Sequence, residues 1–278
     1  MTLRYCFLGL ILFSFLASQV QSNYGKSKVS IHTLYSSNNQ YIVYDLYKPK
    51  SATPEEKAPF IVVVPGFQRS KEALSNIAIE LSRRGHVVAL IDPYAQGMSS
   101  SSLSRRAATT EGYGMFALID SVYSSDEYNY IDKSKLGSTG HSMGGNAAIR
   151  GANYFGRQAI NNNSDSKLHS VYVSGYVLTL TEDVLKNIRS NVGVSYALYD
   201  EGAFRNELKG WDAGNMKIAP ESIRFVNSIL NEENKLNEVE LGKYYGSVSK
   251  KNTRVVFNEE LLHPFQPYAK EAISNQIS

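Results

Sequence analysis

The sequence predicts an α/β protein whose central sheet is twisted and mostly parallel, with helices on both faces. Two observations predict this class. Short runs rich in β-branched residues alternate with longer segments of helical periodicity, and the runs are continuous enough to be strands covered on both faces. A strand, a helix and another strand in this order form a right-handed crossover, which makes the two strands parallel.

The chain enters this sheet through a predicted antiparallel hairpin. Residues 28–35 alternate polar and apolar side chains, residues 36–39 supply a turn, and residues 41–47 form the second strand. The buried strands follow at 60–64, 86–91, 135–140, 170–174, 192–199 and 253–257. Helices are predicted at 71–84, where Gly85 ends the helix, at 110–123, after Ser142 and at 268–276.

The composition is that of one globular domain. Of the 278 residues, 42% are hydrophobic and 20% are charged, and the formal net charge is +3. These values are typical of a folded chain that buries a full-sized core. The basic residues do not cluster with aromatic residues as a phosphate-binding surface requires. We therefore expect no nucleic acid partner, and the sequence does not indicate an oligomeric state.

The cysteine and histidine content disfavours metal chemistry. The single cysteine, Cys6, lies in the first apolar segment, so it forms neither an intrachain disulfide bond nor a thiolate metal site. No two of the five histidines have the spacing that places a pair of imidazoles on one helix face. We expect no metal and no cofactor.

Residues 1–22 are predicted to be a targeting segment. Arg4 precedes an apolar stretch at 5–17, and Val20 and Ser22 fit the small-residue pattern of a cleavage site. The stretch is shorter than the ~20 apolar residues that span a bilayer, which favours a removable signal peptide over a membrane anchor. We expect the folded domain, residues 23–278, to be secreted or periplasmic, or held at the membrane by an uncleaved segment.

A long connection separates the last two predicted strands. The segment 202–251 is charged, contains the single tryptophan, Trp211, and includes a helix-like run at 220–230. It is longer than an ordinary connection between two sheet elements. We predict that it forms a cap-like insertion, or lid, before the last strand.

Ser142 is the candidate nucleophile. The run Gly140-His141-Ser142-Met143-Gly144-Gly145 follows a predicted buried strand and precedes a helix. In this context a Gly-x-Ser-x-Gly pattern is typical of a nucleophile elbow, a sharp turn that presents the serine hydroxyl. Side chains two positions before and after the serine would collide with neighbouring backbone, and the helix N-terminus favours developing negative charge.

Three motifs in a fixed order resemble the α/β-hydrolase superfamily, and most closely its bacterial esterases, lipase-like enzymes and dienelactone-hydrolase-like enzymes. They are Val64-Pro65-Gly66-Phe67 after the first buried strand, residues 92–99 after the second, and the Ser142 elbow. The resemblance extends from about residue 28 to the end of the sequence. It implies the α/β-hydrolase fold and a serine hydrolase.

The resemblance also implies an oxyanion hole of two backbone N–H groups, one after the nucleophile and one in the loop after the first buried strand. In this sequence they belong to Met143 and Phe67, and Gln68 is the alternative to Phe67. Asp92 and Gly97 are expected to shape the loop beside the site.

A serine hydroxyl needs a neighbouring base, and the superfamily's chain order is serine, acid, histidine. Only His169 and His263 follow Ser142. His169 precedes a strand and should lie at the edge of the sheet far from the elbow, whereas His263 follows the last strand. His263 is therefore the candidate base. We expect the remaining histidines to be structural, namely His32, His86 and His141.

The third member of the triad is a carboxylate that fixes the imidazole tautomer and stabilises its cation. Asp200 directly follows the penultimate strand, where the superfamily usually carries its acid. Glu201 is adjacent, and an acid one strand earlier would be Glu182 or Asp183. We predict that Asp200 is the acid.

These residues predict a carboxylesterase or lipase-like hydrolase that acts on a small-molecule ester or acyl substrate through an acyl-enzyme. A peptidase or amidase is one alternative, because fold and triad do not distinguish esters from amides. A binding protein that has lost catalysis is the other. The presence of Ser142, Asp200 and His263 in order disfavours an inactive protein.

Overall fold

One mixed sheet of eight strands organises the molecule, and the computed structural model describes residues 2–36 and 39–278. The strand order is β1-β2-β4-β3-β5-β6-β7-β8. The strands are β1 Ser27–Tyr35, β2 Tyr41–Pro49, β3 Ala58–Val64, β4 Val87–Ile91, β5 Ile131–His141, β6 Leu168–Ser174, β7 Asn191–Ala197 and β8 Arg254–Glu259. The helices in the described ranges are α1 Thr2–Gln21, α2 Ser75–Arg83, α3 Ala107–Thr110, α4 Met115–Ser124, α5 Met143–Asn162, α6 Glu182–Leu185, α7 Pro220–Asn227 and α8 Lys270–Ile277.

The N-terminal hairpin is antiparallel, as predicted. The pairing of β1 with β2 runs from Ser27 opposite Pro49 to Tyr35 opposite Tyr41. Residues 37–38 of the predicted turn lie outside the described residues. Strand β2 is also antiparallel to β4, and the remaining pairs of neighbouring strands are parallel. The prediction of a mostly parallel sheet with an antiparallel hairpin is confirmed.

Helices cover both faces of the sheet. Every residue of β4 and β7 is buried, as expected for strands packed on two sides. On one face, Ile77 and Leu81 of α2 pack with Val63 and Leu90, and α8 adjoins them. On the other face lies the larger core cluster, to which α4, α5 and α7 contribute Met115, Leu118, Ala147, Ala148, Phe155 and Phe225.

Glycines set two helix boundaries, and one differs from the prediction. Gly85 follows α2 with φ +87, the left-handed conformation expected after a helix end. The helix predicted at 110–123 instead begins at Met115. Gly112 and Gly114 have φ values of +55 and +99, and these values interrupt the helical conformation between α3 and α4. The helix cannot extend back to residue 110, because Gly112, Tyr113 and Gly114 all adopt positive φ.

The connection between β7 and β8 contributes to the core. Phe225 and Val226 of α7 are fully buried in the larger core cluster. The N–H group of Met216 donates a hydrogen bond of 2.9 Å to Oδ1 of Asn258. Trp211, in contrast, is fully exposed. Helix α7 of this segment therefore packs on the sheet. That the rest of 202–251 forms a lid stays a prediction.

The apolar helix α1 is exposed along its length. Residues Leu3–Gln21 have a mean hydropathy of 1.6, and no part of this stretch is buried against the domain. By length and composition the helix could cross a membrane, and signal sequences share these properties. The helix is longer than the apolar stretch read from the sequence, since it includes the polar residues that follow Ala17.

Candidate active site

The site is organised by the turn between β5 and α5. Ser142 joins the two elements with φ +58 and ψ −123, a conformation that is strained for a residue with a side chain. A Cβ atom on Gly144 would lie 1.9 Å from the carbonyl oxygen of Val64, and one on Gly140 would lie 2.4 Å from the Gly144 backbone. Both glycines are therefore needed, as the sequence predicts for an elbow.

Asp200 and His263 meet across the loops that follow β7 and β8. His263 Nδ1 and Asp200 Oδ2 are 2.7 Å apart, and the Asp200 side chain is only 4% exposed. The Gly202 N–H group donates to Oδ1 of the same carboxylate at 2.6 Å. Burial alone would raise the pKa of Asp200, but the hydrogen bonds from His263 and Gly202 outweigh burial and lower it. The carboxylate is therefore ionised at neutral pH.

His263 lies next to the elbow. Its ring is tilted against that of His141, with 4.5 Å between the ring centroids. A Cβ atom on Gly175 would lie 3.0 Å from His263 Cε1 and 3.1 Å from His141 Nε2, so this glycine leaves room for both rings. Within residues 2–36 and 39–278, the Ser142 hydroxyl makes no hydrogen bond, so its contact with His263 stays a prediction. Catalytic contacts of this kind often tighten only when substrate binds.

Two backbone N–H groups are available near the serine. Met143 begins α5, where the first N–H groups of a helix have no acceptor within the helix. The Gln68 N–H donates to Gln96 Oε1 at 2.5 Å, whereas the Phe67 N–H has no acceptor among the described residues. A Cβ atom on Gly66 would lie 3.7 Å from Ser142 Oγ, so this loop adjoins the nucleophile. The occupied Gln68 N–H favours Phe67 over Gln68 as the donor.

The other candidate acids do not contact His263 in the described structure. Asp183 is 90% exposed and pairs with Lys186 on α6, and Glu182 lies beside it on the exposed start of the same helix. Glu201 is exposed, although it adjoins Asp200 in sequence. His169 lies near the start of β6, at the edge of the sheet opposite the elbow.

Asp92 and Gly97 shape the loop after β4. The buried carboxylate of Asp92 accepts hydrogen bonds from the N–H groups of Lys71 at 2.8 Å and Met98 at 3.0 Å. A Cβ atom on Gly97 would lie 2.2 Å from Asp92 Oδ1. Asp92 thus joins the loop after β4 to the loop after β3, which agrees with its expected structural role.

Sequence reasoning did not find Gln96. Its Nε2 atom donates to the carbonyl oxygens of Gly66 and Arg69, each at 3.1 Å, while its Oε1 atom accepts from Gln68. One side chain therefore fixes the backbone on both sides of Phe67. No sequence signal marks a glutamine for such a role, because its partners belong to a loop nearly thirty residues earlier.

Sequence reasoning also missed the polar support beneath His263. Gln266 Nε2 donates to Ser195 Oγ at 2.9 Å and to Glu259 Oε2 at 3.0 Å. Asn275 of α8 donates to the other oxygen of Glu259. Burial raises the pKa of Glu259, and the two amide donors partly oppose that shift. This network ties the turn that carries His263 to β7, β8 and α8.

Comparison with known proteins identifies the family. A family model described as PET hydrolase-like matches residues 16–206, which include Ser142 and Asp200 and end before His263. No curated protein matched the sequence. The family match covers more than half of the chain, including the elbow and its preceding loops.

Solved structures of several hydrolases are similar in fold. An esterase from Pyrococcus furiosus has a TM-score of 0.59 at 12% identity, and the match covers 90% of this chain and 91% of that one. A dienelactone hydrolase from Anabaena variabilis has a TM-score of 0.56 at 13% identity, covering 91% and 94%. Brefeldin A esterase, a bacterial homologue of human hormone-sensitive lipase, has a TM-score of 0.55 at 13% identity, covering 91% and 74%. With the α/β-hydrolase fold and the matched family model, the chain belongs to the PET hydrolase-like family of esterase-type hydrolases.

Proposed function

We propose that the protein is a serine hydrolase that cleaves carboxylic esters through an acyl-enzyme on Ser142, with His263 as base and Asp200 as acid. The observation that carries the proposal is the 2.7 Å hydrogen bond between His263 and Asp200, beside a serine held at positive φ. That bond occupies Nδ1 and leaves Nε2 as the ring atom that can accept the serine proton. Family and fold support ester hydrolysis in general.

The proposed reaction proceeds in two halves. Ser142 Oγ attacks the ester carbonyl carbon while His263 Nε2 takes its proton, and the Phe67 and Met143 N–H groups stabilise the oxyanion. The intermediate collapses, the leaving alcohol takes the proton from His263, and the acyl group remains on Ser142. Water then attacks the acyl-enzyme with His263 again as base, and the carboxylic acid leaves.

We further propose bulky apolar esters as the substrate class. Large side chains are exposed on the loops that follow the carboxyl ends of the parallel strands: Phe67 after β3, Tyr199 after β7, and Leu262 and Phe265 after β8. Exposed aromatic groups at one edge of a sheet favour contact with apolar acyl or aryl groups. Because the matching family model is described as PET hydrolase-like, PET itself is one substrate to test.

Labelling with a fluorophosphonate probe tests the serine mechanism. We expect the full chain to be labelled at Ser142 and the Ser142→Ala variant to remain unlabelled. Ser138→Ala, which removes a buried hydroxyl from β5, the strand before Ser142, is the matched control and should label normally. Absence of labelling of the folded wild type, with a known serine hydrolase labelled in the same tube, would support a binding protein that has lost catalysis.

A substrate panel tests the bond type. We expect turnover of p-nitrophenyl esters to exceed turnover of aminoacyl nitroanilides, because an alcohol leaves more easily than an amine from the same intermediate. Turnover should rise from acetate to longer acyl chains if the exposed side chains contact the substrate. Faster cleavage of the anilides would instead favour the amidase alternative.

We also propose that the domain acts outside the cytoplasm. Support comes from the exposed apolar helix α1, whose properties fit a signal peptide or an anchor. Analysis of the mature N-terminus distinguishes the two. A start near Asn23 indicates cleavage, whereas the full-length chain in the membrane fraction indicates an anchor.

A further inference from the structure

Among the residues that the structure describes, a charged side chain at the start of β8 is buried without a counter-ion. Arg254 is 2% exposed. Its Nη1 atom donates to the carbonyl oxygens of Ser190 and Thr253, each at 2.9 Å, and its guanidinium carbon lies 5.4 Å from the centre of the Phe225 ring. Its Nε atom is buried and has no hydrogen-bond partner in the described ranges. The carbonyl groups and the ring accommodate the guanidinium but supply no full negative charge.

The charged surroundings of Arg254 make its burial less favourable. In the described part of the chain, the charged group that acts on it is a second cation, Arg189. Burial and, to a smaller extent, repulsion from Arg189 lower the pKa of Arg254 to about 10, so the side chain stays charged at neutral pH. A buried charge without an opposite charge costs several kcal/mol, and buried charges in proteins are therefore usually paired.

Arg254 borders a cavity of about 610 Å³ whose charged lining residues are mainly cations. Arg189, Lys250 and Lys251 line the same cavity, and Lys251 pairs at 3.0 Å with Asp165, the one carboxylate of the described lining. The C-terminal end of α5 also reaches the cavity, and its helix dipole offsets about half an elementary charge. Positive charge remains in excess.

A second buried polar group in the lining also lacks a partner. The hydroxyl of Ser166 is buried and forms no hydrogen bond within the described residues. A hydroxyl and a guanidinium are both hydrogen-bond donors, and each is costly to bury unsatisfied. Both residues line the same cavity, and a group that accepts hydrogen bonds and carries negative charge is the kind of partner that each of them lacks.

We propose that this cavity is a binding site for a phosphate group, with Arg254 as the buried donor and Lys250 and Ser166 as additional donors. Guanidinium groups match the oxygens of phosphate in geometry and charge, and lysine adds charge without a fixed direction. The volume exceeds that of an inorganic phosphate ion, so a phosphate ester also fits. The cavity lies at the amino ends of β7 and β8, at the edge of the sheet opposite Ser142. It is thus separate from the proposed ester site.

Titration of the full chain with inorganic phosphate tests the proposal. Sodium phosphate should raise the Tm and give saturable heat in calorimetry, whereas sodium chloride at equal ionic strength should not, because a ligand of the folded state stabilises it by mass action. Lys250→Gln combined with Ser166→Ala should weaken phosphate binding about tenfold or more. Lys57→Gln, which removes an exposed lysine before β3, is the matched control and should bind as wild type.

Arg254→Gln should abolish the phosphate response while circular dichroism shows a folded chain. If this variant does not fold, phosphate binding by the Lys250 and Ser166 double variant tests the proposal. Equal stabilisation by phosphate and chloride would overturn the proposal, as would a double variant that binds phosphate like wild type.

The source of the phosphate group is tested with vesicles. Neutral phosphatidylcholine vesicles with and without phosphatidic acid are sedimented with the full chain. Binding that needs phosphatidic acid, is lost in the double variant and is competed by inorganic phosphate identifies a lipid headgroup. Phosphate binding in solution without this lipid dependence identifies a free phosphate compound.

Discussion

The Asp200 carboxylate is held on both of its oxygens. Gly202 donates to Oδ1, and His263 Nδ1 lies 2.7 Å from Oδ2. The Tyr196 hydroxyl, on β7 itself, donates to Asn206 at 3.4 Å. With both oxygens engaged, the carboxylate has one orientation, and this orientation fixes the tautomer of the imidazole. The orientation of Asp200 and the tautomer of His263 therefore depend on contacts between two loops that are far apart in sequence.

Asp200→Asn tests the assignment of the acid. The amide keeps the shape of the side chain but allows the wrong imidazole tautomer, so kcat should fall roughly 10³- to 10⁴-fold with little change in KM. Glu201→Gln is the matched control and should be nearly silent, as should Glu182→Gln and Asp183→Asn. Loss of activity in one of these three, with Asp200→Asn close to wild type, would move the acid to that residue.

His141 should make stability depend on pH. Burial and the neighbouring His263 lower the pKa of His141 from 6.5 to about 3, and its Nε2 atom is buried without a partner among the described residues. Below about pH 6.5 the unfolded chain therefore binds a proton that the folded chain resists. Stability should fall as the pH drops from 6.5 toward 3.

The measurement is the difference in Tm between wild type and His141→Gln. At pH 8 the imidazole is neutral in both states, and this difference serves as the reference. Between pH 6 and 4 the variant should lose less stability than wild type. A constant difference across the whole range would show that protonation of His141 does not limit folding.

Among the secondary-structure elements, the loops after β3 and β4 meet at the turn between β5 and α5 to form the site. The elbow between β5 and α5 approaches the loop after β3 so closely that Gly144 faces the carbonyl oxygen of Val64. Gln96 and Asp92 then join the loops after β3 and β4. Backbone and side chains from three parallel strands therefore fix the position of the proposed oxyanion donors.

Gly144→Ala tests the approach of the elbow to β3. The new methyl would overlap the Val64 carbonyl oxygen at 1.9 Å, and neither backbone can move freely, so unfolding free energy should fall by about 3 kcal/mol or more. Gly151→Ala in the same helix is the control. Its methyl would meet the terminal methyl group of Met115, which can rotate away, so the cost should be about 1 kcal/mol. Equal costs in denaturant titrations would contradict the proposed geometry.

Gln96→Ala tests the clamp on the loop that carries Phe67. Loss of its three hydrogen bonds should let the Phe67 N–H drift from the oxyanion position, lowering kcat about 10- to 100-fold with little change in KM. Gln96→Glu keeps an acceptor for the Gln68 N–H but removes the two donated bonds, so it should be intermediate. An unchanged kcat in the alanine variant would show that the loop holds its position without the clamp.

In the whole molecule, the two proposed sites lie at opposite edges of the sheet. The carboxyl ends of the parallel strands carry the proposed ester site, and the amino ends of β7 and β8 border the phosphate cavity. Helix α1 joins the domain at the second edge, where Val20 and Gln21 meet Arg83 and Tyr47. A bilayer or translocation channel at α1 would therefore lie away from Ser142.

Removal of α1 should leave the domain intact. A chain that begins at Asn23 loses the weak 3.4 Å contacts from Gln21 to Tyr47 and from Arg83 to Val20. It also loses the backbone hydrogen bonds that Tyr24 and Ser27 donate to Gln19 and Ser22, while the core keeps every residue. Its Tm and its ester turnover should match those of the full chain, and its solubility should rise. A large loss of Tm would show that α1 is part of the folded domain rather than a targeting segment.

Local sequence patterns were sufficient to predict the fold class, the antiparallel hairpin, the order of strands and helices, and the turn that carries Ser142. These features depend on local periodicity and on glycines whose neighbours lie close in sequence. The predicted start of the helix at residue 110 was wrong, because Gly112, Tyr113 and Gly114 adopt positive φ and periodicity does not report the handedness of the backbone. The choice of Asp200 among four acids rested on resemblance, and its contact with His263 emerged only from the folded loops.

The polar groups that support the site can be identified only in the folded protein. Gln96 binds a loop that precedes it by about thirty residues, and Gln266 links Ser195 to Glu259 beneath His263. Arg254 is buried without a counter-ion in the described part of the chain, and this likewise has no signal in a strand that looks ordinary in sequence. Such contacts arise between residues that are distant in the chain, and periodicity reports only which face of its own element a residue occupies. Packing decides what that face meets.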